Sequence, residues 1–247
     1  MQFDNKVALV TGGSSGIGFG IASHLATLGA HVIITGRDAE KLAAAANEIG
    51  ANVTPIALDV TKVSEIDALY ERIRREHGKL DILIANAGGG QIVPLGALTQ
   101  NHVDQAFNTN VKGVIFTVQS ALPVMPAGSS IVIIGSTASI NPSPGMSVYG
   151  ATKAAVRNLV RAWIQDIKGS GIRINVVSPG PVHTDSLEQF FPADQKEAAF
   201  AYLKTQSFVG RIGTPSDIAH AVAYLASDKA AYTNGIELFV DDGASQI

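Results

Sequence analysis

Eight residues near the start of the chain, Thr11-Gly12-Gly13-Ser14-Ser15-Gly16-Ile17-Gly18, restrict its possible folds more than any other stretch. They follow the apolar run Val7 to Val10, which reads as a buried strand, and they open a segment of helical periodicity. Without side chains at Gly12, Gly16 and Gly18, the backbone can turn sharply, approach a pyrophosphate closely and let the next helix pack against a sheet. A helix starting at Ile17 aims its amide donors and positive dipole end at the same anion. The expected phosphate cradle is Gly12, Ser14, Ser15, Gly16, Ile17 and Gly18. A mononucleotide P-loop would place Lys and Ser or Thr after its last glycine; here Ile17 follows Gly16, which favours a dinucleotide. The plainer alternative is a tight strand-to-helix turn with no ligand.

The rest of the chain keeps the pattern that this turn begins. Short β-branched runs at Val7 to Val10, His31 to Thr35, Val53 to Leu58, Ile82 to Ala85, Ser130 to Ile134, Arg173 to Val177 and Ile236 to Val240 alternate with helical segments. The predicted fold class is α/β, a Rossmann-like, doubly wound, seven-stranded parallel sheet with helices on both faces. No low-complexity linker or internal repeat divides it, so residues 1–247 are expected to form one dinucleotide-binding and catalytic domain. With 46% hydrophobic residues, 247 residues suffice for one large core.

Ligand contacts in such a sheet gather at the carboxyl ends of the strands. At the end of the second strand an acidic residue would bind a free ribose 2′-hydroxyl, but Gly36 stands there, followed by Arg37 and Asp38. Arg37 offers a planar fork to the 2′-phosphate of NADP, or is a solvated charge; Asp38 caps a helix from Ala39 to Ile49. After the third strand, Asp59 and Val60 are placed to meet adenine, with Asp59 alternatively, or additionally, capping a helix that begins near Lys62. After the fourth come Asn86, Ala87 and Gly88-Gly89-Gly90, where Asn86 can tie neighbouring strand ends together and Gly88 to Gly90 allow close approach of a cofactor or form a mobile loop. Helical periodicity then runs from Phe107 to Met125 and contains Asn110, whose amide needs partners whether it serves a core network or catalysis.

The fifth strand exits through Gly135-Ser136, and after a Pro-containing loop Tyr149-Gly-Ala-Thr-Lys153 opens a helix. The spacing puts Tyr149 and Lys153 on one helix face. An ammonium fixed near a phenol lowers its pKa, which makes an acid/base usable near neutral pH. Taken singly, Ser136 is a turn residue and the Tyr–Lys spacing is incidental; together, downstream of the glycine turn, they point to proton transfer. The sixth strand leaves through Pro179-Gly180-Pro181-Val182-His183-Thr184, an irregular exit that suits a nicotinamide carboxamide or simply a rigid turn.

These motifs, in this order, resemble the short-chain dehydrogenase/reductase family over essentially the whole chain, in its NADP-preferring branch. The resemblance implies that Tyr149 exchanges a proton with the substrate oxygen, that Ser136 hydrogen-bonds that oxygen, and that Asn110 holds a water in a proton relay from Lys153. It implies that Lys153 binds the nicotinamide ribose and lowers the Tyr149 pKa, and that Pro179, Gly180, Val182 and Thr184 hold the nicotinamide end. It further implies NADP(H) as cofactor and a homotetramer built through the long helices after the fourth and fifth strands and through the last strand. Ala154, Ala155, Leu159, Val160 and Trp163 supply an apolar face for that contact, or face the sheet instead. Where many members have Asp-Gly-Gly after the last strand, this chain has Asp241-Asp242-Gly243.

Residues 185–211 occupy the place of the family's substrate lid. Phe190, Phe191, Phe200, Tyr202 and Phe208 either line an apolar pocket or pack the lid onto the body. The expected reaction is reversible NADPH-dependent reduction of a small, largely apolar ketone to a secondary alcohol. A 3-oxoacyl-carrier-protein or thioester reductase and a polyol dehydrogenase are alternatives within the family. Carrier docking sites are generally basic; here the corresponding places read Ala127-Gly-Ser129 and Gly169-Ser170-Gly171, with Arg157, Arg161 and Lys168 nearby. A sensor that binds NADPH without turnover is an alternative of another class. A net charge of -3 without a basic run gives no footprint for nucleic acid or an anionic membrane, and no apolar run is long enough to span one. The six His lack metal-ligand spacing, so no metal site is expected. Cysteine is absent, and Met1 leads almost directly into the first strand, from which the expected compartment is the cytoplasm.

Overall fold

The computed structural model describes residues 1–191 and 193–245; Pro192, inside the expected lid, and residues 246–247, inside the expected domain, lie outside the described residues. The chain runs β1 (Val7–Thr11), α1 (Gly16–Thr27), β2 (His31–Gly36), α2 (Ala39–Ile49), β3 (Val53–Ala57), α3 (Val63–His77) and β4 (Ile82–Ala85). It continues through α4 (Gln100–Phe107), a π-helical turn (Asn108–Lys112), α5 (Gly113–Ala121), β5 (Ser130–Ile134), α6 (Ser147–Asp166) and β6 (Arg173–Pro179). Helices α7 (Asp185–Glu188) and α8 (Lys196–Thr205) precede α9 (Pro215–Ala226) and β7 (Glu237–Val240).

The seven strands form one parallel sheet in the order β3-β2-β1-β4-β5-β6-β7. Alternation along β1 explains how it is covered on both faces. Ala8 and Val10 join one apolar layer with Ile21 and Leu25 of α1 and Ile218 and Val222 of α9. Val7 and Leu9 join the other, with Ile66 and Ile73 of α3, Val114 and Val118 of α5, and Val156 and Val160 of α6. Each large aliphatic side chain buried this way contributes about 1.5–3 kcal/mol. The direction of winding reverses between β1 and β4, which opens a crevice at their carboxyl ends.

The observed elements differ from the sequence expectation mainly at their ends. Strands β1, β2 and β6 run on to Thr11, Gly36 and Pro179 because neighbouring strands continue the ladder there: Thr11 pairs with Thr35, Gly36 with Ala57 and Pro179 with Val240. Conversely β3 stops at Ala57 and β7 starts at Glu237. The helix expected to run unbroken from Phe107 to Met125 is interrupted by the π turn, and Leu122–Val124 tightens into a 3-10 turn.

Candidate active site

The glycine turn is locked against the end of β4. Gly12 and Gly16 have φ of 68° and 54°, in the left-handed region that glycine adopts without strain. A Cβ at Gly12 would come within 3.0 Å of Ala87 Cα and Asn86 Nδ2, and one at Gly18 within 2.1 Å of the Gly12 carbonyl oxygen. Asn86 ties the two strand ends together, its Nδ2 donating to the carbonyls of Thr11 (2.9 Å) and Gly12 (3.1 Å). The Thr11 hydroxyl accepts from the amides of Asn86 and Ala87, both at 3.0 Å. Helix α1 begins at Gly16 with Ser15 as N-cap, and the Ser15 side chain makes no capping bond. By contrast Asp38 caps α2, accepting from the amides of Glu40 and Lys41 at 3.1 Å. The first-turn amides of α1 are therefore left for an anion, so the cradle fits a dinucleotide pyrophosphate.

Beside this turn, Ser14 Oγ lies 3.6 Å from where a Cβ on Gly36 would stand, and Arg37 is exposed at the strand end. Partial burial pushes the Asp59 carboxyl up, but hydrogen bonds from the Thr61 amide (2.9 Å) and hydroxyl (2.8 Å), with the charges of Arg37 and Lys62, carry it below its ordinary range. Arg37 and Asp59 thus flank one edge of the crevice. Asp59 is not the N-cap of α3. That position falls to Lys62, while Asp59 closes a turn onto Thr61 and its own amide donates to Glu65 (2.8 Å). Val60 is buried, within 3.1 Å of where a Cβ on Gly113 would sit.

Ser136, Tyr149 and Lys153 converge at the exit of β5. Ser136 caps a single 3-10 turn, Thr137–Ser139, its Oγ accepting from the Ala138 amide at 3.1 Å. Lys153, one turn beyond Tyr149 on α6, is buried, and its Nζ donates to the Ile134 carbonyl at 2.8 Å. That ammonium stands 5.7 Å from the Tyr149 ring centroid. Burial lowers the Lys153 pKa to about 8. Burial raises that of the Tyr149 phenol, with the Ser136 hydroxyl pulling the other way. The expected depression of the phenol by Lys153 is therefore not what the protein alone produces. The ammonium is engaged by the Ile134 carbonyl, and desolvation of the phenol dominates.

Asn110 lies in the π turn, which rotates its buried amide toward this group. Its Oδ1 accepts from the Gly89 amide (3.1 Å), and its Nδ2 donates to the Gly89 carbonyl (2.8 Å) and to Thr152 Oγ1 (3.0 Å). Thr152 passes the link on, donating to the Tyr149 carbonyl at 2.7 Å. The strand exit after β4 closes over these residues. A Cβ on Gly88 would meet Asn110 Oδ1 at 3.0 Å, and one on Gly90 would meet Tyr149 Cδ2 at 2.6 Å. Thr152 has no role assigned from sequence, although a hydroxyl in the turn between Tyr149 and Lys153 is a signal for one. Gly90 belongs to the glycine run expected to allow close approach, but that the neighbour it admits is the Tyr149 ring depends on a loop-to-helix contact.

On the other side, Pro179 ends β6, the Gly180 amide donates to the Val240 carbonyl (3.1 Å), and Val182 bridges to Gly213. Thr184 abuts the glycine turn, its methyl 3.3 Å from where a Cβ on Gly16 would lie. Its hydroxyl caps α7, accepting from the Leu187 amide at 3.2 Å.

The aromatics between residues 185 and 211 divide. Phe200 packs on His183 (4.8 Å between centroids) and on Phe191 (6.1 Å), and Phe190 is half-buried, whereas Tyr202 and Phe208 are exposed. A cavity of about 370 Å³ beside α8 is lined by charged residues, among them Glu188, Lys196 and Arg211, together with Phe200 and Ile212, and reaches none of Asn110, Ser136, Tyr149 or Lys153. On α6, Val160, Leu159 and Trp163 belong to the layer against the sheet, while Ala154 and Ala155 are half-buried. Among the described residues no helix is long and apolar enough to cross a membrane.

Residues 12–245 match the family model described as enoyl-(acyl carrier protein) reductase. The chain is 42% identical to oxidoreductase asL5 of Sarocladium schorii, covering 100% of this chain and 98% of that protein. It is 32% identical to a 3-oxoacyl-acyl-carrier-protein reductase of Thermotoga maritima, over 98% of this chain and 99% of the relative. A hydroxynaphthalene reductase of Aspergillus fumigatus is 31% identical, over 95% and 90%. Among solved structures, a short-chain dehydrogenase/reductase of Brucella melitensis, described as a glucose/ribitol dehydrogenase, superimposes with a TM-score of 0.93 at 28% identity and 98% coverage of both chains. Kinship that spans nearly the whole chain in both sequence and fold makes this protein an oxidoreductase of the short-chain dehydrogenase/reductase family, which works with a nicotinamide dinucleotide.

Proposed function

We propose that the protein is an NADPH-dependent reductase of small, largely apolar ketones, acting reversibly with Tyr149 as acid/base. The observation that carries this reading is the convergence of Ser136, Tyr149 and Lys153 at the exit of β5, with Asn110 and Thr152 behind them. Residues 1–247 act as one catalytic unit, with 185–211 as its lid, and four copies assemble into a homotetramer.

The dinucleotide is held by the cradle of Gly12, Ser14, Ser15, Gly16, Ile17 and Gly18, with Asp59, Val60, Asn86, Ala87 and Gly88 along the adenosine side. Pro179, Gly180, Val182 and Thr184 hold the nicotinamide end, joined by Tyr149 and Lys153. Arg37 selects the 2′-phosphate, since its guanidinium is exposed beside Gly36 with no acidic residue at the strand end. When bound, the nicotinamide supplies the hydride. The chain's own residues handle the proton. Tyr149 donates it to the substrate oxygen, and Ser136 donates a hydrogen bond to that oxygen as charge develops there. Lys153 keeps positive charge beside the phenol, and Asn110 positions a water that returns the proton from solvent.

The test is NADPH consumption at neutral pH against aryl ketones, aliphatic ketones, β-ketoesters, an acetoacetyl thioester and sugars, with NADH in parallel. Turnover of apolar ketones with NADPH supports the proposal. Preference for the thioester supports the carrier-protein alternative favoured by the name of the Thermotoga maritima relative. Sugar oxidation supports polyol chemistry, and NADH outperforming NADPH removes the role given to Arg37. Tight NADPH binding without turnover of any compound supports a sensor.

A further inference from the structure

The last strand carries an acid that neither the core nor the dinucleotide cradle requires. Glu237, the first residue of β7, points its carboxylate across the end of the sheet, and the side chain is only 10% exposed. Its Oε1 accepts from Ser178 Oγ at 2.7 Å and from Ser139 Oγ at 3.1 Å. Its Oε2 faces Arg157 of α6 at 3.6 Å. Three elements, the β5 exit, the end of β6 and the catalytic helix, are thus joined at one carboxylate.

What lies inside this clasp gives it a purpose. Ser139 ends the single 3-10 turn that Ser136 begins, and its amide donates to the Ser136 carbonyl at 2.9 Å. Ser178 packs directly under Gly135, where a Cβ would come within 2.3 Å of Ser178 Oγ. One three-residue turn has little stability of its own, so its orientation depends on what anchors it. A carboxylate in a largely water-excluded place, with two hydroxyl donors and a guanidinium, is a strong anchor.

We propose that Glu237 is a positioning residue for the reaction: through Ser139 and Ser178 it fixes the turn that aims the Ser136 hydroxyl at the substrate oxygen. The proposal rests on the ketone-reductase reading for its kinetic consequence, and on the geometry alone for the placement of Ser136. In Glu237→Gln the side-chain oxygen still accepts from both hydroxyls, whereas Glu237→Leu removes the acceptor. Misplacing a catalytic group by about 1 Å lowers turnover on the order of 10²-fold, so kcat of the Leu variant should fall by about 10- to 100-fold. NADPH affinity should stay unchanged, and the Gln variant should retain most of the activity.

The experiment pairs those kinetics with crystal structures of the wild type, both Glu237 variants and Ser139→Ala. Ser136 Oγ is expected to shift by about 1 Å relative to the Tyr149 hydroxyl in Glu237→Leu, with a smaller shift in the same direction in Ser139→Ala and none in Glu237→Gln. Should Glu237→Leu not fold, the Ser139→Ala structure decides. An unmoved Ser136 in whichever of these folds overturns the proposal. So does a Gln variant as impaired as the Leu variant, or a kcat loss that only follows lost NADPH affinity. If the wild type reduces no ketone, it is the proposed function that fails, and the position of Ser136 still decides the role of Glu237.

Discussion

Lys153 is held where its charge opposes folding. It is buried, its one protein acceptor is the Ile134 carbonyl, and burial brings its pKa to about 8. Between that value and the unfolded value near 10.4, the unfolded chain binds more protons than the folded one, so this residue makes stability rise with pH across the window. Below pH 8 the full penalty applies, on the order of 3 kcal/mol. Lys153→Met should therefore raise the denaturant midpoint at pH 7 while abolishing turnover, and its advantage should shrink as pH rises toward 10. A Met variant less stable than the wild type at pH 7 would show that the bond to Ile134 outweighs desolvation. At this scale the sequence was informative where chemistry follows from spacing: Tyr149 and Lys153 do share a helix face, and Asn86 does tie two strands. It was silent where burial decides. The raised phenol of Tyr149 and the three partners of Asn110 depend on packing and on a π turn, and periodicity reports neither.

Helix α2 shows an element written almost entirely in local sequence. Its bounds Ala39–Ile49 are those predicted, and Asp38 caps it. Segment 185–211 shows the opposite, since its attachment depends on residues far along the chain. Asp242 adopts a left-handed backbone conformation, φ 61°, which glycine takes without strain. Its carboxylate accepts from the Ser207 hydroxyl at 2.6 Å and the Val209 amide at 3.0 Å, which moors the segment between α8 and α9 to the tail. We expect Asp242→Gly to relieve the strained conformation while releasing that segment. Proteolytic cleavage between residues 205 and 211 should accelerate several-fold, with NADPH affinity unchanged. An unchanged cleavage rate would show that Phe191, Phe200 and His183 hold this segment without Asp242.

Across the whole molecule, two histidine pairs join elements that lie far apart in the chain. His24 of α1 meets His220 of α9, and His31 of β2 meets His77 of α3, each with ring centroids 4.6 Å apart. Burial first, and the partner imidazole second, lowers the pKa of both His24 and His31 below 6.5. A base with a lowered folded pKa contributes stability that is complete above its unfolded value and lost as pH falls through the folded one. Melting temperature should accordingly drop between pH 7 and 5, and His24→Gln with His31→Gln should flatten that drop. An unaltered slope in the double variant would assign acid sensitivity to other groups. The doubly wound, seven-stranded parallel sheet was legible because alternation of strands and helices and the glycine turn together admit few architectures; such pairs were not, because nothing in the chain's order brings positions 24 and 220 together. Proton transfer by one phenol is the centre of the proposed reaction, and it is most directly tested by steady-state NADPH oxidation with apolar ketones by wild type and Tyr149→Phe. We expect the variant to lose about 10²- to 10⁴-fold in kcat while binding NADPH as tightly as the wild type. A Tyr149→Phe enzyme that still reduces ketones at the wild-type rate would contradict it.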